Sequence, residues 1–212
     1  MPDRISRLPS VQEILPSLLV LILSLSFHEA AHAWAADRLG DPTARQLGRL
    51  TLNPLSHIDW IGTVLFPLIA SVSGVPLIGW AKPVPVDMRN LHHPRRDFAL
   101  VALAGPASNL FLATIAAVAF EILAKTTGYV NLGGQILLLM IVLNVLLAVF
   151  NMIPVPPLDG GNVLMGIVPL EAARAINWLR PYGFVIIYAL MLTGILSAIT
   201  RPVQNFLLSF LL

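Results

Sequence analysis

Two histidines, His28 and His32, stand four residues apart in an apolar run near the N-terminus, with Glu29 beside the first. On a helix that spacing stacks the two imidazoles on one face, one turn apart. Two nitrogen donors so placed suit a single zinc ion, and the Glu29 carboxylate is positioned to take a proton from a water that the metal activates. The pattern is the His-Glu-x-x-His of zinc-dependent hydrolases. Two histidines and a glutamate in one turn of an apolar helix are costly to bury without a metal or hydrogen-bonding partners. A catalytic zinc takes three protein ligands and keeps one position open. The chain has no cysteine, so the third ligand must be a histidine or a carboxylate.

Among His57, His92, His93 and the carboxylates, Asp159 stands apart. It closes Asn151-Met152-Ile153-Pro154-Val155-Pro156-Pro157-Leu158-Asp159, directly after an apolar run, where a lone carboxylate is expensive. Irregular backbone at membrane depth is tolerated only where it lines a cavity or is buried in protein. Taken alone, Asp159-Gly160 fits a turn outside the membrane equally well. His57 reads as a structural loop histidine, and His92 and His93 as solvated members of a basic, proline-flanked loop. Asn109 and Asn144 read as interhelical hydrogen-bonding residues or as groups lining a cavity.

The elements that position these residues are transmembrane. Of 212 residues, 57% are hydrophobic and 11% charged, and the mean hydropathy is +0.81, the composition of a polytopic membrane protein. We expect an all-α fold of about four transmembrane helices, with a re-entrant segment and a small membrane-associated β element. It forms one membrane-embedded domain over 1–212, with a catalytic core over 11–162 and C-terminal helices over 163–212. Without cysteine there are neither disulfides nor thiolate metal sites. A net charge of +2 carries no nucleic-acid signal, because the basic residues cluster by loop. The first apolar segment lacks a small-residue cleavage site and reads as a retained span, not a signal peptide.

Spans are expected over 11–36, 98–123, 133–152 and 182–200. The first passes from Leu/Ile/Val-rich sequence to Ser24, Ser26, Ala30, Ala31, Ala33, Ala35 and Ala36, small residues that permit close helix packing. Its histidine-bearing half should therefore be enclosed by other helices. Alternation around Leu47 to Leu52 fits a short strand or hairpin within 40–57. Residues 79–97 are extended by their prolines. Residues 170–179 fit a short amphipathic helix, and 203–212 are too short to cross.

Topology tests the pairing of the histidines with Asp159. Both lie at or beyond the C-terminal ends of their helices, so those helices must run in the same direction. An odd number of crossings must then separate them. The span at 98–123 supplies one, so the apolar stretch 58–78 must enter and leave on the same side. Arg38, Arg45, Arg49, Lys82, Arg89, Arg95 and Arg96 then share one face, which the excess of positive charge makes cytoplasmic. Arg4 and Arg7 run against the rule, since the N-terminus falls outside. The expected location is a cell membrane, multi-pass, with the site toward the cytoplasmic face.

These residues resemble the signature of the site-2 protease family of intramembrane zinc metalloproteases. The resemblance rests on Phe27-His28-Glu29-Ala30-Ala31-His32 and on Asn151-x-x-Pro154-x-x-x-x-Asp159-Gly160. It extends through Asn53-Pro54-Leu55-Ser56-His57, Gly79-Trp80-Ala81-Lys82-Pro83-Val84-Pro85-Val86 and Ala104-Gly105-Pro106-x-x-Asn109. It implies a three-helix core with His28, His32 and Asp159 on one zinc per chain and Glu29 as general base. It implies that Asn151 holds the substrate carbonyl or the oxyanion. It also implies that the strand region at 43–53 pairs with an unwound substrate, with no PDZ or CBS domain present. The implied activity is hydrolysis of peptide bonds within or near a transmembrane segment, with a membrane-protein substrate and the lipid bilayer as partners. Two other readings compete: a membrane-anchored protease cutting soluble or loop substrates, and a non-hydrolytic zinc-binding membrane protein, which has no need of Glu29.

Overall fold

The computed structural model describes residues 11–73, 79–127 and 131–212. The long helices are α1 (Val11–Arg38), α4 (Pro94–Thr127) and α5 (Leu132–Asn151). Between the first two come a single helical turn, α2 (Thr43–Gln46), and α3 (Phe66–Ser73). After α5 follow α6 (Asp159–Ile167), α7 (Leu170–Trp178), α8 (Gly183–Leu192) and α9 (Ile195–Leu211). Among the described residues, four helical runs are long and apolar enough to cross a membrane: Ile14–Arg38, Pro94–Thr126, Leu132–Asn151 and Leu170–Leu192. The chain is an all-α, multi-pass membrane protein.

Side-chain size decides how α1 is used. Leu15, Leu19 and Leu23 face outward, whereas Ala30, Ala33, Ala35 and Ala36 are buried against neighbouring helices. Apolar burial gives little drive between helices in lipid, so close approach of small residues supplies the contact. At the C-terminal end of α1, Ala35 and Ala36 pack on Leu91 and on Val101 of α4. At the far end of the bundle, Ala116, Ala117 and Ile141 meet Leu208 and Leu211 of α9. Helix α4 starts cleanly: Pro94 takes the first position, where its missing N–H costs nothing, and the His93 N–H donates to Asp97 Oδ2 at 2.7 Å.

The strand or hairpin expected within 40–57, including the pairing region 43–53, is not formed. Asp41 Oδ1 accepts from the Thr43 N–H at 3.1 Å and opens the turn α2. Gly48, at φ +66°, closes it, with Gly48 N–H on Arg45 O and Arg49 N–H on Ala44 O. These are the bonds of a glycine-terminated helix end, which only a residue at ease with positive φ supplies. Local capping overrides the weak alternation, and among the described residues no strand offers a partner.

Two other boundaries move. The expected fourth span at 182–200 is broken at Gly194, which takes φ +76°. The apolar run is instead Leu170–Leu192, including the amphipathic stretch, and α9 starts afresh at Ile195. In the stretch 58–78, Asp59 caps a π-helical segment, Trp60–Leu65, that continues into α3. Residues 74–78 lie outside the described residues. On the far side of them, the Trp80 N–H donates to Gly62 O at 3.2 Å and Thr63 Oγ1 donates to Trp80 O at 2.8 Å.

Candidate metal centre

Three elements converge where α1 meets α4. The His28 and His32 side chains leave one face of α1, and α6 begins at Asp159 opposite them. His28 Nε2 lies 3.0 Å from His32 Nε2 and 3.1 Å from Asp159 Oδ2, and His32 Nε2 lies 3.4 Å from Asp159 Oδ1. Donors about 2.0–2.2 Å from a tetrahedral zinc stand about 3.3–3.6 Å apart, close to the spacing of the two nitrogens from each other and of each from its nearer carboxylate oxygen. Both histidines are buried, at 4% and 9% exposure.

Hydrogen bonding sets which ring nitrogen points inward. His32 Nδ1 lies 2.7 Å from the Val101 carbonyl, which can only accept, so Nδ1 carries the proton. For His28 the assignment passes through a buried chain of amides. Asn144 Nδ2 donates to the Met140 carbonyl and to Ser24 Oγ, each at 2.9 Å. That turns Asn144 Oδ1 toward Asn109, whose Nδ2 donates to it at 2.8 Å. Asn109 Oδ1 then faces His28 Nδ1 at 2.6 Å and accepts its proton. With both rings neutral, the Nε2 lone pairs converge with the Asp159 carboxylate, whose buried Oδ2 has no hydrogen-bond partner among the described residues. Three electron-rich atoms at this spacing fit a cation, and two imidazoles with one carboxylate fit zinc.

The backbone of α4 forms a wall of this site. A Cβ on Gly105 would overlap His32 Nε2 and stand 2.6 Å from His28 Cε1. Next to it, Pro106 lies inside the helix, where it disturbs the carbonyls of the preceding turn. Asp159 is fixed from the other side. A Cβ on Gly160 would collide with the Met152 carbonyl, so the loop 152–156 lies directly on the start of α6. Arg95 Nη2 donates to Met165 O and Val168 O, pinning the other end of α6 to the start of α4.

Glu29, 8% exposed, lies beside the histidines, and its Oε2 accepts from the Val84 N–H at 2.8 Å. The structure thus brings His28, His32 and Asp159 together with Glu29 adjacent. It does not give Asn151 a hydrogen bond to any of them: the Asn151 amide donates to Leu147 O, one turn back in its own helix. His57 is buried in its loop with Nε2 on Thr51 O at 2.8 Å, a structural histidine. Side-chain patterns named Asn109 and Asn144 as interhelical partners or cavity-lining groups. Their place in the chain leading to His28 was not readable, although Gly105-Pro106 in mid-span signals a close backbone approach.

The class of molecule is now defined: a multi-pass membrane protein with a buried His–His–Asp cluster that could hold a metal ion and a glutamate next to the first histidine. Over 202 residues the chain is 39% identical to the Bacillus subtilis (strain 168) protein named "Putative zinc metalloprotease YwhC", covering 91% of this chain and 87% of that one. It is 32% identical over 181 residues to "Putative zinc metalloprotease Rip2" of Mycolicibacterium smegmatis, covering 83% of this chain and 66% of that one. The family Peptidase family M50 matches at residues 129–192. No solved structure matches the chain. The chain belongs to the site-2 protease family of zinc metalloproteases, and that membership implies a zinc ion.

Proposed function

We propose that this protein is an intramembrane zinc metalloendopeptidase that hydrolyses a peptide bond within or near the transmembrane segment of a membrane-protein substrate. The observation that carries the reading is the convergence of His28 Nε2, His32 Nε2 and Asp159 within 3.0–3.4 Å of one another, beside Glu29, at the buried end of an apolar helix. These three residues would hold the zinc, which when bound acts as a Lewis acid and lowers the pKa of water at the site. Glu29 takes the proton of the attacking water and passes it to the leaving amine. Asn109 and the Val101 carbonyl keep both imidazoles in the tautomer that presents Nε2. Asn151 is assigned to the substrate carbonyl by resemblance, and to serve there its amide must turn away from Leu147 O.

The site opens toward the cytoplasmic face in this reading. Support comes from the basic residues Arg38, Arg45, Arg49, Lys82, Arg89, Arg95 and Arg96, all in or next to the segment that joins α1 to α4. The same reading has the 58–78 stretch enter and leave the membrane on one side. In its support, the Trp80 N–H donates to Gly62 O, so the chain leaves this stretch beside the point where it entered.

The test is Glu29→Gln in proteoliposomes carrying a single-span substrate. Zinc should stay bound at wild-type stoichiometry while cleavage of the span disappears. Cleavage that survives the change overturns the mechanism, and cleavage confined to soluble peptides overturns the substrate class. For the topology, a cysteine placed at Val72 should not react with an impermeant reagent applied only from the outer side.

A further inference from the structure

Among the described residues, no other side chain hydrogen-bonds the general base proposed above. Its Oε2 accepts from a main-chain donor, the Val84 N–H at 2.8 Å, across 55 positions of sequence. That donor belongs to an extended strap over 79–87 whose alternate residues are anchored to the protein. The Lys82 N–H donates to His57 O at 2.9 Å, Arg49 Nη2 donates to Lys82 O at 2.8 Å, and Trp80 is bonded at both its N–H and its carbonyl. Beyond Val84, the Asp87 N–H donates to Asp41 Oδ2 at 2.7 Å. In extended chain, residues two apart present their N–H groups to the same edge. Fixing residues 80 and 82 therefore aims the N–H of Val84 at the protein as well, where it meets Glu29.

Sequence sharpens the device. Pro83 and Pro85 have no N–H, so Val84 supplies the sole main-chain donor of the three residues, and the two rings restrict the chain on either side of it. A glutamate with both oxygens free turns about its side-chain torsions. Holding Oε2 leaves Oε1 as the oxygen that exchanges a proton.

We infer that the Val84 N–H is a positioning donor for Glu29, and that the Pro83-Val84-Pro85 strap exists to orient the general base. The inference rests on the proposed role of Glu29. The opposite arrangement, a latch that occupies the base until the strap lifts, would make removal of the donor activating.

The decisive variant replaces Val84 by its α-hydroxy analogue through nonsense suppression, exchanging the N–H for an ester oxygen with the side chain intact. Full-length protein in proteoliposomes should lose about 10- to 100-fold in kcat, the range for a hydrogen bond to a charged group, with KM and zinc stoichiometry unchanged. Val84→Pro, which also lacks the donor, should follow it, and Val84→Ala, which keeps the donor, should match wild type. Independently of activity, the Val84 amide proton in 15N-valine-labelled protein should move upfield in Glu29→Ala. Wild-type or faster turnover by the ester variant overturns the inference, and so does an unmoved amide resonance. Should Glu29→Gln still cleave, the role of Glu29 fails instead. A dead Glu29→Gln beside a fully active ester variant overturns the strap alone.

Discussion

Replacing Asn109 by leucine isolates what the buried amide chain does for the metal centre. The side chain is fully buried, accepts from His28 Nδ1 at 2.6 Å and donates to Asn144 Oδ1 at 2.8 Å. Leucine fits the volume and strands both partners. Each orphaned buried group costs about 1–3 kcal/mol, toward the low end in a membrane, where the unfolded chain also finds partners. The loss of stability should therefore be about 2 kcal/mol for the pair. His28 is also freed to take the other tautomer, which turns a protonated Nε2 toward the metal position. Loss of such an orienting partner typically weakens a metal site about 10- to 100-fold. The assay is competition for zinc against a chromogenic chelator on purified protein, with thermal denaturation in parallel. Asn109→Asp is the matched control. It restores an acceptor for His28 but no donor for Asn144, so zinc affinity should recover while the melting temperature stays low. Asn109→Leu protein that binds zinc as wild type does, or an aspartate variant that fails to recover affinity, refutes the role given to this chain.

Further outcomes follow from other contacts. Gly105→Ala should lower zinc occupancy at least as far as Asn109→Leu, because the new methyl meets both imidazoles, and elemental analysis of purified protein measures it. Asp159→Ala should leave His28 and His32 as a two-ligand site, with zinc lost on dialysis; zinc retained at full stoichiometry would remove Asp159 from the ligand set. Asp41 is fully buried. Burial pushes its carboxyl up, but donors from Asn90, Thr43 and Asp87 override this and hold it below the usual range. Its contribution is present above the unfolded value near pH 4 and is lost as pH falls through the lower folded value. Asp41→Asn should thus melt below wild type at pH 7 by about 1–3 kcal/mol equivalent, with the gap shrinking at pH 3, measured on metal-free protein.

The sequence by itself determined the membrane class and the cores of α1, α4 and α5, and it singled out His28, His32 and Asp159, which the fold brings together. Those features follow from local rules: long apolar runs, an i, i+4 histidine pair, and a carboxylate too costly to leave alone in proline-broken chain. The crossing count took the pairing of residues 127 positions apart as given and required that 58–78 enter and leave on one side, because a bilayer allows a helix only two directions. Local rules failed where signals were weak or competing. The strand expected over 43–53 gave way to a capped turn because Gly48 outweighs an alternation of a few residues. The last span moved because Gly194 divides one apolar run into two helices.

Only the tertiary structure decided how the ligands are held. The tautomer of His28 depends on a chain of amides that starts at the Met140 carbonyl on α5 and passes through α4. The tautomer of His32 depends on a main-chain carbonyl, and the orientation of Glu29 depends on a main-chain N–H. Every residue but proline carries such an N–H, and every residue a carbonyl, so no residue type marks which one will matter. Their role is fixed by where the fold lays the backbone. That placement depends in turn on Gly105 being small enough to let α4 touch both histidines.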